Sequence, residues 1–464
     1  MSTTPNVYAF SHPGFFGRIG VARIDITPPV EIYGRRWGAS EHDLNEGVHR
    51  PLTATVLTLQ NEEGDMPLCL VAWDLSWMDR IDDERYFRHA LLEELGCDES
   101  QVMFNFGHSH AVPATNREMV DKPGGDLIEP YMEKLRAGIV SAARQALSEA
   151  VPAVLEWTTG RCALATNRDL PDPDADRIIC GFHPGEKADD TILVGRVGNA
   201  AGETLAVIVN YACHPTTLAW QNRLISPDFV GAMRETVEEQ TPGSPCLFLQ
   251  GASGELAPRR QYTGDTEIAD RNGRQLGYAV LEALEGMLPP GYQLLYDGVM
   301  ESGAPLAMHR SEPRTPGTES ILLRAALHHV ELDLKEFPSA SELEKQMEDE
   351  TDRAMLERLR RKLNLRHEIG DSKSIEMPLW IWQAGEAILV GQPYETYSHF
   401  QTELRRTFPG TSIVVMNLVN GCLGYLPPAE LYDLDIYQVW QTPLAAGSLE
   451  RVIKAATQYI ALLL

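Results

Sequence analysis

Apolar and polar positions along the chain alternate between two patterns. Short, nearly continuous apolar runs occur at TATVLTL (53–59), LCLVAWDLSW (68–77), QVMFNFG (101–107), LAVIVNYACH (205–214), PCLFLQGASG (245–254), EAILVGQ (386–392) and TSIVVMNL (411–418). Runs of this length, bounded by Gly, Pro, Asn or Ser, predict buried strands. Between them, YMEKLRAGIVSAARQALSEA (131–150), GAMRETVEEQ (231–240) and RNGRQLGYAVLEALEGM (271–287) repeat their apolar residues at helical spacing, which predicts helices with one buried face. LERVIKAATQYIALLL at the end of the chain reads the same way, and HRSEPRTPGTES (309–320) reads as a loop. Strand-then-helix alternation predicts an α/β fold of mixed β-sheets flanked by helices. No internal repeat or low-complexity linker stands out, so residues 1–464 are read as a single domain.

SASELEKQMEDETDRAMLERLRRKLNLRHEIG (339–370) departs from this pattern. Its dense charges and Glu-to-Arg spacings suit ion pairs along a helix surface. It predicts an exposed helix or helical hairpin, inserted into the domain, with a solvated face and no catalytic role.

Composition then narrows the function classes. The net charge of −26, with pI ≈ 4.9, lacks the basic footprint of a nucleic-acid binder and argues against docking on anionic membranes. No apolar stretch is long enough to predict a membrane span. The seven cysteines, at 69, 97, 162, 180, 213, 246 and 422, include no CxxC pair, and the first twenty residues show no basic start followed by an apolar run. Both features predict a reduced, cytoplasmic protein without a leader. The expected partner is a small-molecule substrate; self-association stays open.

Candidate chemistry gathers where strands end. The apolar runs lead into HSH (108–110), HPTTL (214–218), ASGELAPRR (252–260), QPYETY (392–397) and NGCLGYLPP (420–428). Loops at the ends of rigid strands are common sites of catalysis. On extended chain, the two side chains of HxH share a face. His108 and His110 then share a metal, or one binds metal while the other handles protons, or both are ordinary polar residues at a strand end. Taken alone, His214 is equally explained by a hydrogen bond to a backbone carbonyl. It is the recurrence of polar strand ends that favours a metal site.

In order along the chain, GVARIDITPP (20–29), FGHSHAVPA (106–114), ATNRD (165–169), NYACHPTTL (210–218), SPDFVGAM (226–233), LFLQGASGELAPR (247–259), GQPYE (391–395) and NGCLGYLPP…IYQV (420–439) resemble the segments of the neutral/alkaline non-lysosomal ceramidase family. The resemblance runs from about residue 17 to 460 and implies that family's catalytic-domain fold. It implies a zinc ion held by His108, His214, Glu395 and Tyr425. It implies His110 as the acid/base beside the metal, and Arg168 and Tyr437 as groups lining the site that steady a developing oxyanion or a polar substrate group. Tyr437 is also open to a reading as core packing, since YDLDIYQVW is aromatic-rich. Glu255 either orients the metal shell or holds its own loop.

Three departures qualify the resemblance. Where the family has GDVSP this chain has GELAP, so Ala257 stands at the family's serine. Tyr394 stands where the family has glycine before the glutamate ligand. The chain ends in a helical pattern where the family continues into an immunoglobulin-like domain. With zinc bound, water becomes a nucleophile near neutral pH, its pKa falling to roughly 7 in favourable sites, so loss of the serine does not remove the chemistry. By the size of such donors, it costs about a hundredfold on a ceramide-like substrate. The expected activity is therefore zinc-dependent hydrolysis of an amide in a small soluble substrate. An ester or glycoside hydrolase or a lyase on the same scaffold is the alternative, ahead of a true ceramidase or a metal-bearing protein without turnover.

Overall fold

The computed structural model describes residues 8–464 except 63, 79 and 114. Residues 1–7 of the N-terminal stretch and the last residue of the FGHSHAVPA segment therefore lie outside it. Within it, one order of elements occurs three times. In the first unit, β1 (Gly14–Asp25), β2 (Thr53–Gln60) and β3 (Leu68–Trp73) form an antiparallel meander; α1 (Ile81–Leu95) then crosses over to β4 (Val102–Phe106), parallel to β3, and α2 (Ile128–Ser148) follows. The second unit repeats this as β5 (Val151–Arg161), β6 (Thr191–Asn199), β7 (Thr204–Tyr211), α3 (Phe229–Glu238), β8 (Cys246–Gln250) and α4 (Thr266–Glu285). The third begins with β9 (Leu323–Asp333) and carries two inserted helices, α5 (Ala340–Asp349) and α6 (Arg353–Ile369). It resumes with β10 (Ser374–Ala384), β11 (Ala387–Gly391), α7 (His399–Thr407) and β12 (Ser412–Met416), and ends in α8 (Tyr437–Gln441) and α9 (Ser448–Leu463). The repeat is one of topology, and it is invisible in the residues themselves.

The first two units join edge to edge through β1 and β5 into an eight-stranded sheet, and the third forms its own four-stranded sheet. Helices cover the outer face of each unit. Phe104 and Val71 pack under Phe87 and Leu135, Phe248 and Val209 under Phe229 and Leu276, and Val415 and Ile388 under Phe400 and Val452. The inner faces meet in a fourth core, where Leu57, Leu70, Ile208 and Leu249 of the large sheet face Leu389, Trp380 and Trp382 of the small one.

Both faces of these sheets are covered, which is why the strands read as continuous apolar runs rather than as alternating ones. The seven runs singled out in the sequence all contain strands, although the polar ends of 68–77, 205–214 and 245–254 lie beyond them. The segment read as a loop at 309–320 is corrected in its first half: Pro305–Pro313 is a strand of an exposed hairpin with Tyr292–Glu301. The charged insertion does form a helical hairpin. Ser339 and Glu342 make a capping box at α5, and Asp352 caps α6. Its expected exposure is corrected for one face of α6, which roofs a cavity described below. Among the described residues no helix is long and apolar enough to cross a membrane.

In each unit the first, third and fourth strands run in the same direction, so their C-terminal ends share one end of the fold. Three buried amides mark where the fourth strands converge. Gln250 N–H donates to Asn105 Oδ1 (2.8 Å), Asn105 Nδ2 donates to the Asn417 carbonyl (2.7 Å), and Asn417 N–H donates to the Gln250 carbonyl (3.0 Å). This closed ring ties β4, β8 and β12 together directly beneath the candidate site.

Candidate metal centre

Each unit sends side chains to this end. His108 follows β4, His214 follows β7 and Glu395 follows β11. Tyr425 lies beyond β12 and pairs in register with Glu395 in a short parallel ribbon, so the two side chains share a face. Glu395 Oε2 is 2.8 Å from His214 Nε2 and 3.2 Å from His108 Nε2, and one donor atom from each of the three lies within 4.8 Å of the others. Tyr425 Oη is 3.4 Å from His214 Nε2. The four residues that the resemblance implies as ligands are thus brought together, and all are buried.

The far nitrogens of both imidazoles face carbonyl oxygens: His108 Nδ1 meets Ser76 O at 3.2 Å, and His214 Nδ1 meets Ser253 O at 2.7 Å. A carbonyl only accepts, so each Nδ1 carries the proton and each Nε2 presents a lone pair. Burial, then the Arg168 charge, pushes His214 down to about 4. Two lone pairs and a carboxylate converging in a dry site repel one another unless a cation lies between them. The donor set of two imidazole nitrogens, a carboxylate and a phenol suits zinc, and the paired carbonyls are the outer contacts that orient metal-binding histidines.

His108 has φ 65, a left-handed conformation uncommon outside glycine. Its N–H bonds to the Leu75 carbonyl at 3.0 Å, so both its backbone and its ring are fixed by the loop after β3. The HxH segment is therefore not extended, and the expectation that both side chains share one face is corrected. His110 lies outside the converging donor atoms, its ring centroid 5.1 Å from that of His108. Its Nε2 is enclosed and meets no partner among the described residues. Burial, then the neighbouring His108, holds it well below its ordinary value.

The other expected site residues fall into two groups. Tyr437 opens α8 with its ring 5.6 Å from that of Tyr425, and it lines the cavity together with His108, His110 and Glu395. Arg168 and Glu255 stand behind. Arg168 Nη2 donates to the Gly254 carbonyl (2.7 Å) and to Tyr425 Oη (3.0 Å). Gly254 has to be glycine, since a Cβ there would meet the Tyr397 ring at 2.7 Å and the Glu395 carbonyl at 2.9 Å. The Glu255 carboxylate accepts from the Ser398 N–H and hydroxyl at the start of α7, while its carbonyl accepts from Arg168 N–H at 2.8 Å. Its side chain thus holds a loop rather than touching the ligands. Ala257 is wholly buried in a ribbon with Ala165–Asn167 and does not line the cavity.

A cavity of about 440 Å³ opens from this centre. Trp77, which no sequence motif singles out, forms part of its wall and touches both the His108 and His110 rings, at 5.4 and 5.0 Å. The inner face of α6 supplies Arg361, Asn364, Leu365 and Ile369 to the same wall. The only signal for these in sequence is Leu365 and Ile369 at helical spacing within a run of charge.

No family model matches the chain. Neutral ceramidase of Pseudomonas aeruginosa is 24% identical over 270 residues, which are 56% of this chain and 40% of that protein. The chain thus spans less than half of that relative's length. Among solved structures, a ceramidase complexed with C2 superposes with a TM-score of 0.67 at 15% identity, covering 96% of this chain and 74% of the other. The crystal structure of neutral ceramidase from Pseudomonas aeruginosa superposes with a TM-score of 0.65 at 16% identity, covering 97% and 74%. The chain has the fold of these ceramidases and resembles their family in sequence.

Proposed function

We propose that the protein is a zinc-dependent hydrolase that cleaves an amide bond in a small soluble substrate. The observation that carries this reading is the convergence of two Nδ1-anchored imidazoles on the Glu395 carboxyl group, with the Tyr425 phenol beside them. His108, His214, Glu395 and Tyr425 would hold the metal. When bound, zinc supplies Lewis acidity, making water a nucleophile near neutral pH and drawing charge from the scissile carbonyl.

The chain's own residues do the rest. His110 is neutral near pH 7 and lines the cavity; its Nε2 takes the proton of the attacking water and delivers it to the leaving nitrogen. The Tyr437 hydroxyl donates to the carbonyl oxygen as negative charge develops there. Arg168 is a positioning residue: it holds Tyr425 through the phenol oxygen and fixes the Gly254 backbone. Free cysteines at all seven positions fit a cytoplasmic setting.

The test is a substrate panel of amides, esters and glycosides on zinc-reconstituted protein, with His110→Ala and His214→Ala alongside. Turnover of amides, lost in both variants, is the expected result. Turnover confined to esters or glycosides would replace the amide reading with the alternative reaction on the same scaffold.

A further inference from the structure

The first connection of each unit, between its first and second strands, reaches the candidate site, and each delivers an arginine there. Arg36 comes from the first, Arg168 from the second and Arg361, on α6, from the third. Arg36 and Arg361 both stack on Trp77, with guanidinium carbons 4.7 and 5.1 Å from the ring centroid. Arg36 donates to the carbonyls of Trp77 and Pro113, and Arg168 is occupied by Gly254 and Tyr425. Arg361 alone of the three lines the cavity.

Arg361 is held in place by its neighbours. Its Nη2 donates to the Arg36 carbonyl at 3.1 Å and its Nε to Glu357 at 3.3 Å. Glu357 also accepts from Arg360 at 3.2 Å, so one carboxylate serves two guanidinium groups. Further along the cavity, Glu368 accepts from the Ile81 N–H and Glu99 pairs with Arg88. Glu376 also lines it, from β10. From Arg361 to Ile369 the cavity follows α6 for about 12 Å at the helical rise, and Leu365, Ile369, Leu327 and Trp380 give that stretch an apolar wall.

Resting on the hydrolase reading above, we infer that the substrate is an amide with an apolar acyl group and a carboxylate near the scissile bond, and that Arg361 binds the carboxylate. N-acyl amino acids have this chemistry. The cationic group sits at the metal end of the cavity and the apolar wall leads away from it, which fits an acyl chain running under α6 and an anionic head beside Trp77. Arginine suits the task because its planar fork matches a carboxylate while its face stays on the indole.

The experiment compares N-octanoylglycine with N-octanoylglycinamide, which replaces the carboxylate by a neutral group of the same shape. Zinc-reconstituted wild type should prefer the acid in kcat/KM by roughly ten- to a hundredfold, the range of a charge-assisted hydrogen bond. Arg361→Gln should collapse that ratio and Arg361→Lys should keep part of it. Asn364→Asp, which adds a negative charge to the same wall, should lower the ratio without touching the arginine. Calorimetric binding of both compounds to metal-free protein gives a readout independent of turnover. Hydrolysis of both compounds with no preference, or a ratio unchanged in Arg361→Gln, overturns the inference and leaves the hydrolase reading standing. Preferential binding of the acid, lost in Arg361→Gln, with no cleavage of either compound overturns the hydrolase reading and leaves the anion site standing.

Discussion

Metal removal is the most direct perturbation of the centre. The structure places two lone pairs and a carboxylate within 4.8 Å of one another, and an unfolded chain holds no such arrangement. Zinc should therefore bind the folded state in preference, and at a free concentration about a thousand times its dissociation constant it should add about 4 kcal/mol of stability. For 464 residues, an unfolding entropy of roughly 2.1 cal/mol/K per residue amounts to about 1 kcal/mol/K, so the midpoint should rise by about 4 °C if the chain melts in one transition. The assay is a thermal melt of EDTA-dialysed protein titrated with zinc. Magnesium and calcium, which prefer all-oxygen sites, serve as controls. His108→Ala and His214→Ala should each abolish most of the shift, and Glu395→Gln should weaken it. Equal shifts with magnesium, no shift with zinc, or a full zinc shift in His214→Ala would refute the assignment of these side chains as a metal centre.

Three further outcomes follow from the surrounding framework. Arg234 on α3 pairs in a fork with Asp74 (3.0 and 2.6 Å), both buried, beside the loop that orients His108; Arg234→Ala should cost about 3–5 kcal/mol in a denaturant melt by stranding the carboxylate. Burial pushes Glu255 up from 4.5 to about 7, so the folded state keeps a proton that the unfolded state releases. That contribution is present below pH 4.5 and is lost as pH rises through about 7; the melting temperature of Glu255→Gln should therefore fall less than that of wild type between those values, by the equivalent of roughly 1–3 kcal/mol. Ala257→Ser puts a hydroxyl into a sealed position away from the cavity; it should cost about 1–2 kcal/mol in a thermal or denaturant melt and confer no ceramide turnover.

Much of the framework was legible because its strands are covered on both faces, so VLTL, CLVAW and IVVM announce themselves by unbroken hydrophobicity. Two strands that escaped notice mix charge into the core. In β5 and β6, Glu156 and Arg196 face each other across the register at 3.2 Å, and the Glu156 carboxylate also accepts from Gly291 N–H. A buried pair of this kind looks like a surface position in sequence. The side chains that converge at the candidate metal centre were legible as polar residues where apolar runs stop. Ser76 and Ser253 were not, because they act through backbone carbonyls and any residue type supplies one. Arg361 was hidden by its setting, one charge in a segment dense with charge, and only the placement of α6 distinguishes its inner face.

The threefold order of elements explains why the centre is assembled from distant parts of the chain. In each unit, a meander followed by a parallel crossover puts the ends of the first, third and fourth strands on one side. Every unit therefore sends several connections to a single end of the fold, and the Asn105–Gln250–Asn417 ring holds their fourth strands in contact. His108, His214 and Glu395 each come from a different unit. Displacement of any one unit moves one of these side chains by the whole of that displacement, so the geometry of the candidate centre depends on the packing between units more than on any one loop. The ring supports this dependence: a side-chain substitution on the protein surface leaves it intact, whereas a change at Asn105 breaks both of its side-chain contacts at once and frees β4 from β8 and β12, which keep the Asn417 N–H to Gln250 carbonyl bond between them.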